Sequence, residues 1–234
     1  MSDAAKKTAA TPGLGTTLAS IVNGCFGDYL SQRDNGLAID MAFYRNNRPL
    51  PLTPETLREA FPAPTSKLCV LVHGLCCHEG AWDYPDNPAR SYGSALQDEL
   101  GYTPFFLRYN TGLPIPYNGT ALDALLEKLL AAYPLDVEEL VLVGHSMGGL
   151  VLRGACHFGA ERGATWVGKV KRVFYIGTPH EGAALERVGH LVNSVLHAVP
   201  HPITALLGDV AGKRSQGIKD LRHGKVMDSS PARN

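Results

Sequence analysis

The run Val141-Leu-Val-Gly-His-Ser-Met-Gly-Gly149 constrains this chain more than any other stretch. Apolar residues Leu140–Val143 end abruptly in Gly144-His-Ser-Met-Gly148, and helical periodicity follows from Met147 to about Gly159. A strand that becomes a helix this quickly brings the positions two before and two after the serine together. Both are glycine, so no side chain clashes there. Such a turn strains the serine backbone and lifts its hydroxyl clear of the carboxyl end of a sheet, and the amino terminus of the next helix adds partial positive charge. In a chain with 25 glycines the five-residue pattern alone is weak. Its place between an apolar strand and a helix makes it specific.

Strand and helix alternate around that turn. Leu68-Cys-Val-Leu-Val72 is continuously apolar, as expected of a strand buried on both faces of a parallel sheet. Thr103–Tyr109, Val137–Val143 and Val170–Ile176 read as further strands. Ser91–Leu100, closed by Gly101, reads as a helix, and so does the face formed by Leu122, Leu125, Leu126, Leu129, Leu130 and Tyr133. Leu37 to Tyr44 alternates like a strand, Asn46-Asn47 suits a turn, and Pro49–Leu52 reads as a returning edge strand. Thr53-Pro54 starts a short helix that ends at Phe61, before prolines 62 and 64. The predicted fold class is α/β, a mostly parallel sheet with helices on both faces. Residues 1–12 read as a disordered arm and 13–234 as one domain, with 183–212 a helical cap or, equally, an ordinary covering helix. Leu14, Leu18, Ile21, Val22, Cys25, Phe26 and Tyr29 fall at helical spacing, weakened by Gly24 and Gly27. They read as a helix packed on the domain, with a membrane-surface or substrate-lid helix as the alternative.

Composition narrows the partners. Twenty-two basic and 22 acidic residues leave no net charge, so no basic field attracts nucleic acid. No stretch approaches the roughly 18 consecutive apolar residues of a membrane span, and Met1–Thr11 lacks the apolar core of a signal peptide. A cytoplasmic location is expected, and contact with a membrane surface is not predicted. Cys25, Cys69, Cys76, Cys77 and Cys156 are odd in number and match no zinc or disulfide framework, which suits a reducing compartment.

Four motifs in order carry a resemblance that spans about residues 36–227. They are Val72-His-Gly-Leu75, Leu107-Arg-Tyr-Asn-Thr-Gly112, Gly144-His-Ser-Met-Gly-Gly149 and Gly177-Thr-Pro-His-Glu-Gly182. The middle of the chain resembles the α/β-hydrolase fold. Within that fold it is similar to bacterial lipase/esterase-like proteins grouped with the GPI inositol-deacylase (PGAP1-like) hydrolases. The resemblance implies hydrolysis of a small-molecule or lipid carboxylic ester through an acyl-serine intermediate on Ser146, with no metal and no cofactor. It implies backbone oxyanion donors at Met147 and, on the loop after an earlier strand, at Leu75. A serine at the turn argues against the dehalogenase and epoxide-hydrolase branches, which carry aspartate there. His73 precedes the serine, against the family's order, and reads as a loop-positioning residue. His180 reads likewise.

Members of this family continue with two more strands that bring an acid and then a histidine. This chain stops at Asn234, so the fold is expected to be C-terminally truncated, without the usual acid and histidine. After Gly182 come Leu185, Val188, Leu191, Val192, Val195, Leu196 and Val199 at helical spacing, then an apolar patch at Ile203–Leu207 and a polar tail. Asp209 with His223 preserves the serine–acid–histidine order, and His190, His197 and His201 are other candidate bases. Losing a triad histidine costs on the order of a million-fold in turnover and leaves roughly a thousand-fold over water. Three readings follow: a serine esterase or lipase, a binding or regulatory protein with an unpowered pocket, and an active enzyme with a rebuilt triad of Ser146, Asp209 and His223. An acyltransferase or thioesterase shares the same elbow chemistry. Ending after Val170–Ile176 leaves an apolar sheet edge, so self-association is expected.

Overall fold

A computed structural model describes residues 14–32, 38–182 and 216–223. The expected arm at 1–12 and cap at 183–212 lie outside them. Six strands form one sheet: β1 (Ala42–Arg45), β2 (Arg48–Pro49), β3 (Lys67–Val72), β6 (Thr103–Arg108), β7 (Glu139–His145) and β8 (Val170–Ile176), in the order β2-β1-β6-β3-β7-β8. β6, β3, β7 and β8 run parallel, and β1 and β2 are antiparallel additions at one side. A small hairpin, β4 (Asp83–Tyr84) with β5 (Asn87–Ser91), stands apart.

The first strand is shorter than Leu37–Tyr44 suggests. The Ile39 N–H donates to Asn23 Oδ1 (2.9 Å) and so is taken by the first helix, not by a neighbouring strand. Asn46 and Asn47 both have positive φ, 52° and 59°, which matches the twist of a tight hairpin. Pro51 cannot donate to a ladder, so the return strand stops early. The chain then enters α2 (Pro54–Ala60), where Thr53 Oγ1 accepts from Thr56 N–H (3.2 Å).

Period-two alternation splits the strand residues between two layers. Leu68, Val70, Val72, Leu140 and Leu142 pack with Leu122, Leu126 and Leu129 of α4 (Ile115–Ala132) and with Leu150 and Val151 of α5 (Met147–Glu161). Cys69, Leu71, Val141 and Val143 face the other way, toward Trp82, Tyr102 and Leu96 of α3 (Tyr92–Leu100). Helices therefore cover both faces. The second face is incompletely filled, leaving a groove of about 590 Å³ lined by Leu71, Trp82, Leu96, Val143, Phe174 and Ile176.

Two helices meet over the carboxyl ends of the strands. α1 (Leu14–Gln32) buries Ser20, Ile21 and Asn23, and its backbone carbonyl at Gly27 accepts from Asn110 Nδ2 (3.0 Å). Gly24 and Gly27 weaken a helix intrinsically. Here they let the loops at Cys76 and Asn110 approach, for a Cβ on either would collide with those residues. α1 is thus a packed element, and no described helix is long and apolar enough to cross a membrane. α6 (Gln216–His223) is not among the elements expected from the sequence, and it overlaps the polar tail, which begins at Leu221. It buries Ile218 and Leu221, and the buried Asp220 accepts from Ile115 N–H (3.0 Å), capping α4 from outside.

β8 is the outermost described strand on its side of the sheet. Among the described residues nothing pairs with its outer side, and Phe174, Tyr175 and Ile176 are 40–49% exposed. In an antiparallel self-pair centred on Val173, Arg172 would face Phe174 and Lys171 would face Tyr175. No like charges would oppose each other. A dimer in size-exclusion chromatography with light scattering, dispersed by Val173→Pro, is the expected behaviour. A monodisperse monomer at all concentrations would contradict it.

Candidate active site

β7 gives way to α5 at Ser146, whose φ of 51° and ψ of −122° lie outside the ordinary allowed regions. The cause is steric. A Cβ on Gly148 would lie 2.5 Å from the His73 carbonyl oxygen and closer still to that of Val72, and one on Gly144 would lie 2.7 Å from the Gly149 backbone. α5 therefore begins pressed against the end of β3, and Ser146 takes up the bend. Its N–H donates to the Ile176 carbonyl (2.8 Å), and its carbonyl accepts from Gly149 N–H (3.1 Å). A non-glycine residue held this way stores about 1–3 kcal/mol. The Ser146 side chain is partly exposed, at the amino terminus of α5.

The loop after β3 lies directly beside it. A Cβ on Gly74 would stand 3.1 Å from Ser146 Cβ and 3.1 Å from His145 Nδ1. Gly74–Cys77 form a turn closed by Cys77 N–H on the Gly74 carbonyl (3.3 Å). That carbonyl also meets His73 Nδ1 at 2.9 Å. His73 is wholly buried, and desolvation pushes its pKa down to about 3, so the ring is neutral and the contact places its proton on Nδ1. The ring stacks on Tyr109 (4.6 Å between centroids), whose hydroxyl donates to the His73 carbonyl (2.9 Å). Two donors therefore grip the carbonyl of the Gly74–Leu75 amide. In a planar trans amide this fixes the opposite direction of the Leu75 N–H. The Met147 N–H sits in the first turn of α5, where no intrahelical acceptor exists. Leu75 and Met147 bury their side chains, so each could serve an oxyanion only through its backbone.

Asp209, His190, His197 and His201 lie outside the described residues. For His223 only the backbone, at the end of α6, is described. His180 packs edge-on against Tyr175 (4.7 Å) on the loop after β8. Among the described residues the one histidine paired with a carboxylate is His157, 3.5 Å from Glu161. It lies 11 positions along α5 from Ser146, about 16 Å at 1.5 Å per residue, and cannot act on it. No group of three or more metal-ligating side chains occurs among the described residues. Sequence reasoning missed the ion pair of Arg108 with Glu79 (Nε to Oε2, 2.6 Å), which also holds Asn47 (2.6 Å) and stacks on Tyr44 (3.8 Å). Its partners are 29 and 61 residues away, and no local pattern announces them.

Two outcomes follow from this geometry. Gly148→Ala should lower stability by about 3 kcal/mol or more, because backbone carbonyls cannot move aside as a side chain would. Urea denaturation checks it, and a loss below about 1 kcal/mol would contradict the packing. The depressed His73 pKa makes the unfolded chain bind a proton that the folded chain rejects. Its contribution is therefore whole above about pH 6.5 and is lost as pH falls toward 3, with a slope of at most about 1.4 kcal/mol per unit. His73→Asn, which keeps a donor but does not ionise, should flatten urea midpoints measured from pH 7 to pH 4. An unchanged slope would mean His73 titrates normally.

Comparison with known proteins supplies the family. The model of the Alpha/beta hydrolase family matches residues 69–225. No curated protein sequence matches the chain. Among solved structures, the chain is similar to a lipase-esterase related protein from Clostridium acetobutylicum ATCC 824. Identity is 13%, coverage is 69% of this chain and 68% of that one, and the TM-score is 0.41. The family match takes in the loop after β3, the serine turn and α6, and by it the chain belongs to the α/β hydrolase family.

Proposed function

We propose that the chain hydrolyses carboxylic esters through an acyl-enzyme on Ser146. The observation that carries this is the strained Ser146 turn with the Gly74–Leu75 amide beside it. Ser146 Oγ attacks the ester carbonyl and gives its proton to a histidine. The developing oxyanion is met by the N–H groups of Leu75 and Met147 at the positive end of α5, where preorganised donors act most strongly. The histidine returns the proton to the leaving alkoxide. Water activated by the same base then cleaves the acyl-serine. The base is a histidine from the carboxyl-terminal quarter: His223 with Asp209 in the family's order, or else His190, His197 or His201. The apolar positions of the sequence after Gly182, from Leu185 to Val199, favour a lipid-like acyl group as the substrate class.

Fluorophosphonate labelling tests the proposal, because such probes phosphonylate only a serine with a working base. Fast labelling of the native chain is expected, abolished in Ser146→Ala and slowed on the order of a million-fold in His223→Gln if that histidine is the base. Full labelling of His223→Gln would pass the role to another of the four. No labelling of a folded native chain would overturn the proposal in favour of a binding protein that keeps the pocket without the chemistry.

A further inference from the structure

The Asn110-Thr111-Gly112 loop takes no part in the chemistry above, yet it touches the turn that supplies the oxyanion donor. Cys76 is the second central residue of that turn and has φ of 59°. Positive φ at that place alone is the type II pattern, which favours glycine, and a cysteine there is strained. Its N–H is buried and donates to Thr111 Oγ1 at 3.1 Å. Thr111 is itself 1% exposed and cannot drift away. Its loop is anchored by Asn110 Nδ2 on the Gly27 carbonyl (3.0 Å), by Asn118 Nδ2 on the Asn110 carbonyl (3.0 Å) and by Gly217 N–H on the Gly112 carbonyl (3.0 Å).

We propose that Thr111 is a positioning residue for the oxyanion hole, its hydroxyl oxygen holding the Cys76 N–H and with it the turn that aims the Leu75 N–H. This rests on the esterase reading of Ser146. The Leu75–Cys76 amide plane is the one that flips when a type II turn relaxes to type I. Thr111 Oγ1 accepts from the Cys76 N–H of that amide and so opposes the flip. A relaxed turn would move Leu75 and weaken the Cys77-to-Gly74 bond, which fixes the donating amide from the other side. Thr111 makes its effect felt where charge develops in the transition state and not where substrate is bound. It therefore acts on kcat, leaving KM alone.

The experiment compares the native chain with Thr111→Val, which replaces the hydroxyl by a methyl of equal size, and Thr111→Ser, which retains the oxygen. Hydrolysis of a p-nitrophenyl ester is read as kcat and KM, and amide hydrogen exchange is read over residues 74–78. The expected result for Thr111→Val is a kcat lower by on the order of 30-fold with KM within about twofold, as for a displaced and not deleted donor. Thr111→Ser should return kcat to within about threefold of native. Exchange at Cys76 should be fast in the valine variant and slow in the serine variant. Equal kcat in Thr111→Val, a change carried by KM, or a serine variant as poor as the valine one would overturn the proposal. Should the valine variant not fold, Thr111→Ser and Thr111→Ala decide by the same comparison. Failure of the underlying reading is separately visible: absence of Ser146-dependent fluorophosphonate labelling in the native chain removes the oxyanion role, while exchange at Cys76 still reports whether the tether exists.

Discussion

The end of β3 and the start of α5 share one volume, and most of the molecule is arranged to allow it. The pairing that sets Val72 against Gly144 brings the β3 carbonyls to the level of the elbow, and Gly148 fits under them only because it has no Cβ. The conformation of Ser146 is what remains once that contact has been made. Its strain is of order 1–3 kcal/mol, small beside the burial of five consecutive strand residues, Leu68 to Val72, at no measurable exposure. A backbone geometry at Ser146 that no local preference would choose is thus imposed by the core that surrounds it.

A buried polar layer lies beside the Ser146 turn. His73, Tyr109, Asn110, Thr111 and Asn118 are each 1% exposed or less. They are tied by directed hydrogen bonds: hydroxyl to carbonyl, amide to carbonyl, ring to carbonyl. None carries a charge that water would have to solvate, which keeps the cost of burying them low. The layer links the loop after β3 to the loop after β6, and through Gly27 to α1. Displacement of any member is felt by the amide next to Ser146, since interiors this dense do not absorb shifts locally.

The sequence carries these elements unevenly. β3 and β7 are legible because both faces are buried and the apolar runs are unbroken. The elbow is legible because sterics leave glycine as the sole occupant of two positions. β1 is over-read: alternation at Leu37 to Phe43 continues past the point where Asn23 captures the Ile39 N–H. α6 goes unread because Ile218 and Leu221 are its buried apolar residues among those described, too few to show a period. Its fixing bond runs from Asp220 to an N–H 105 positions away, and no window of sequence sees that far. The same holds for the Thr111–Cys76 bond, 35 positions apart. The motif residues stand out in the sequence, but the hydroxyl-to-amide link between two of the motifs does not.

The loop at 110–113 receives α1 from one direction and α6 from the other. Gly27 is 83 positions before Asn110, and Gly217 and Asp220 come more than a hundred after it. On a ribosome α1 emerges well before this loop and α6 well after it. The central sheet can pair while the loop beside it is still without its carboxyl-terminal clamp. Closure of that long span is slow compared with the local turns and helices that precede it. The sheet can therefore stand while the loop at 110–113 still lacks its bonds from Gly217 and to Asp220's helix, so rigidity beside Ser146 is set by long-range closure and not by the residues that form the turn.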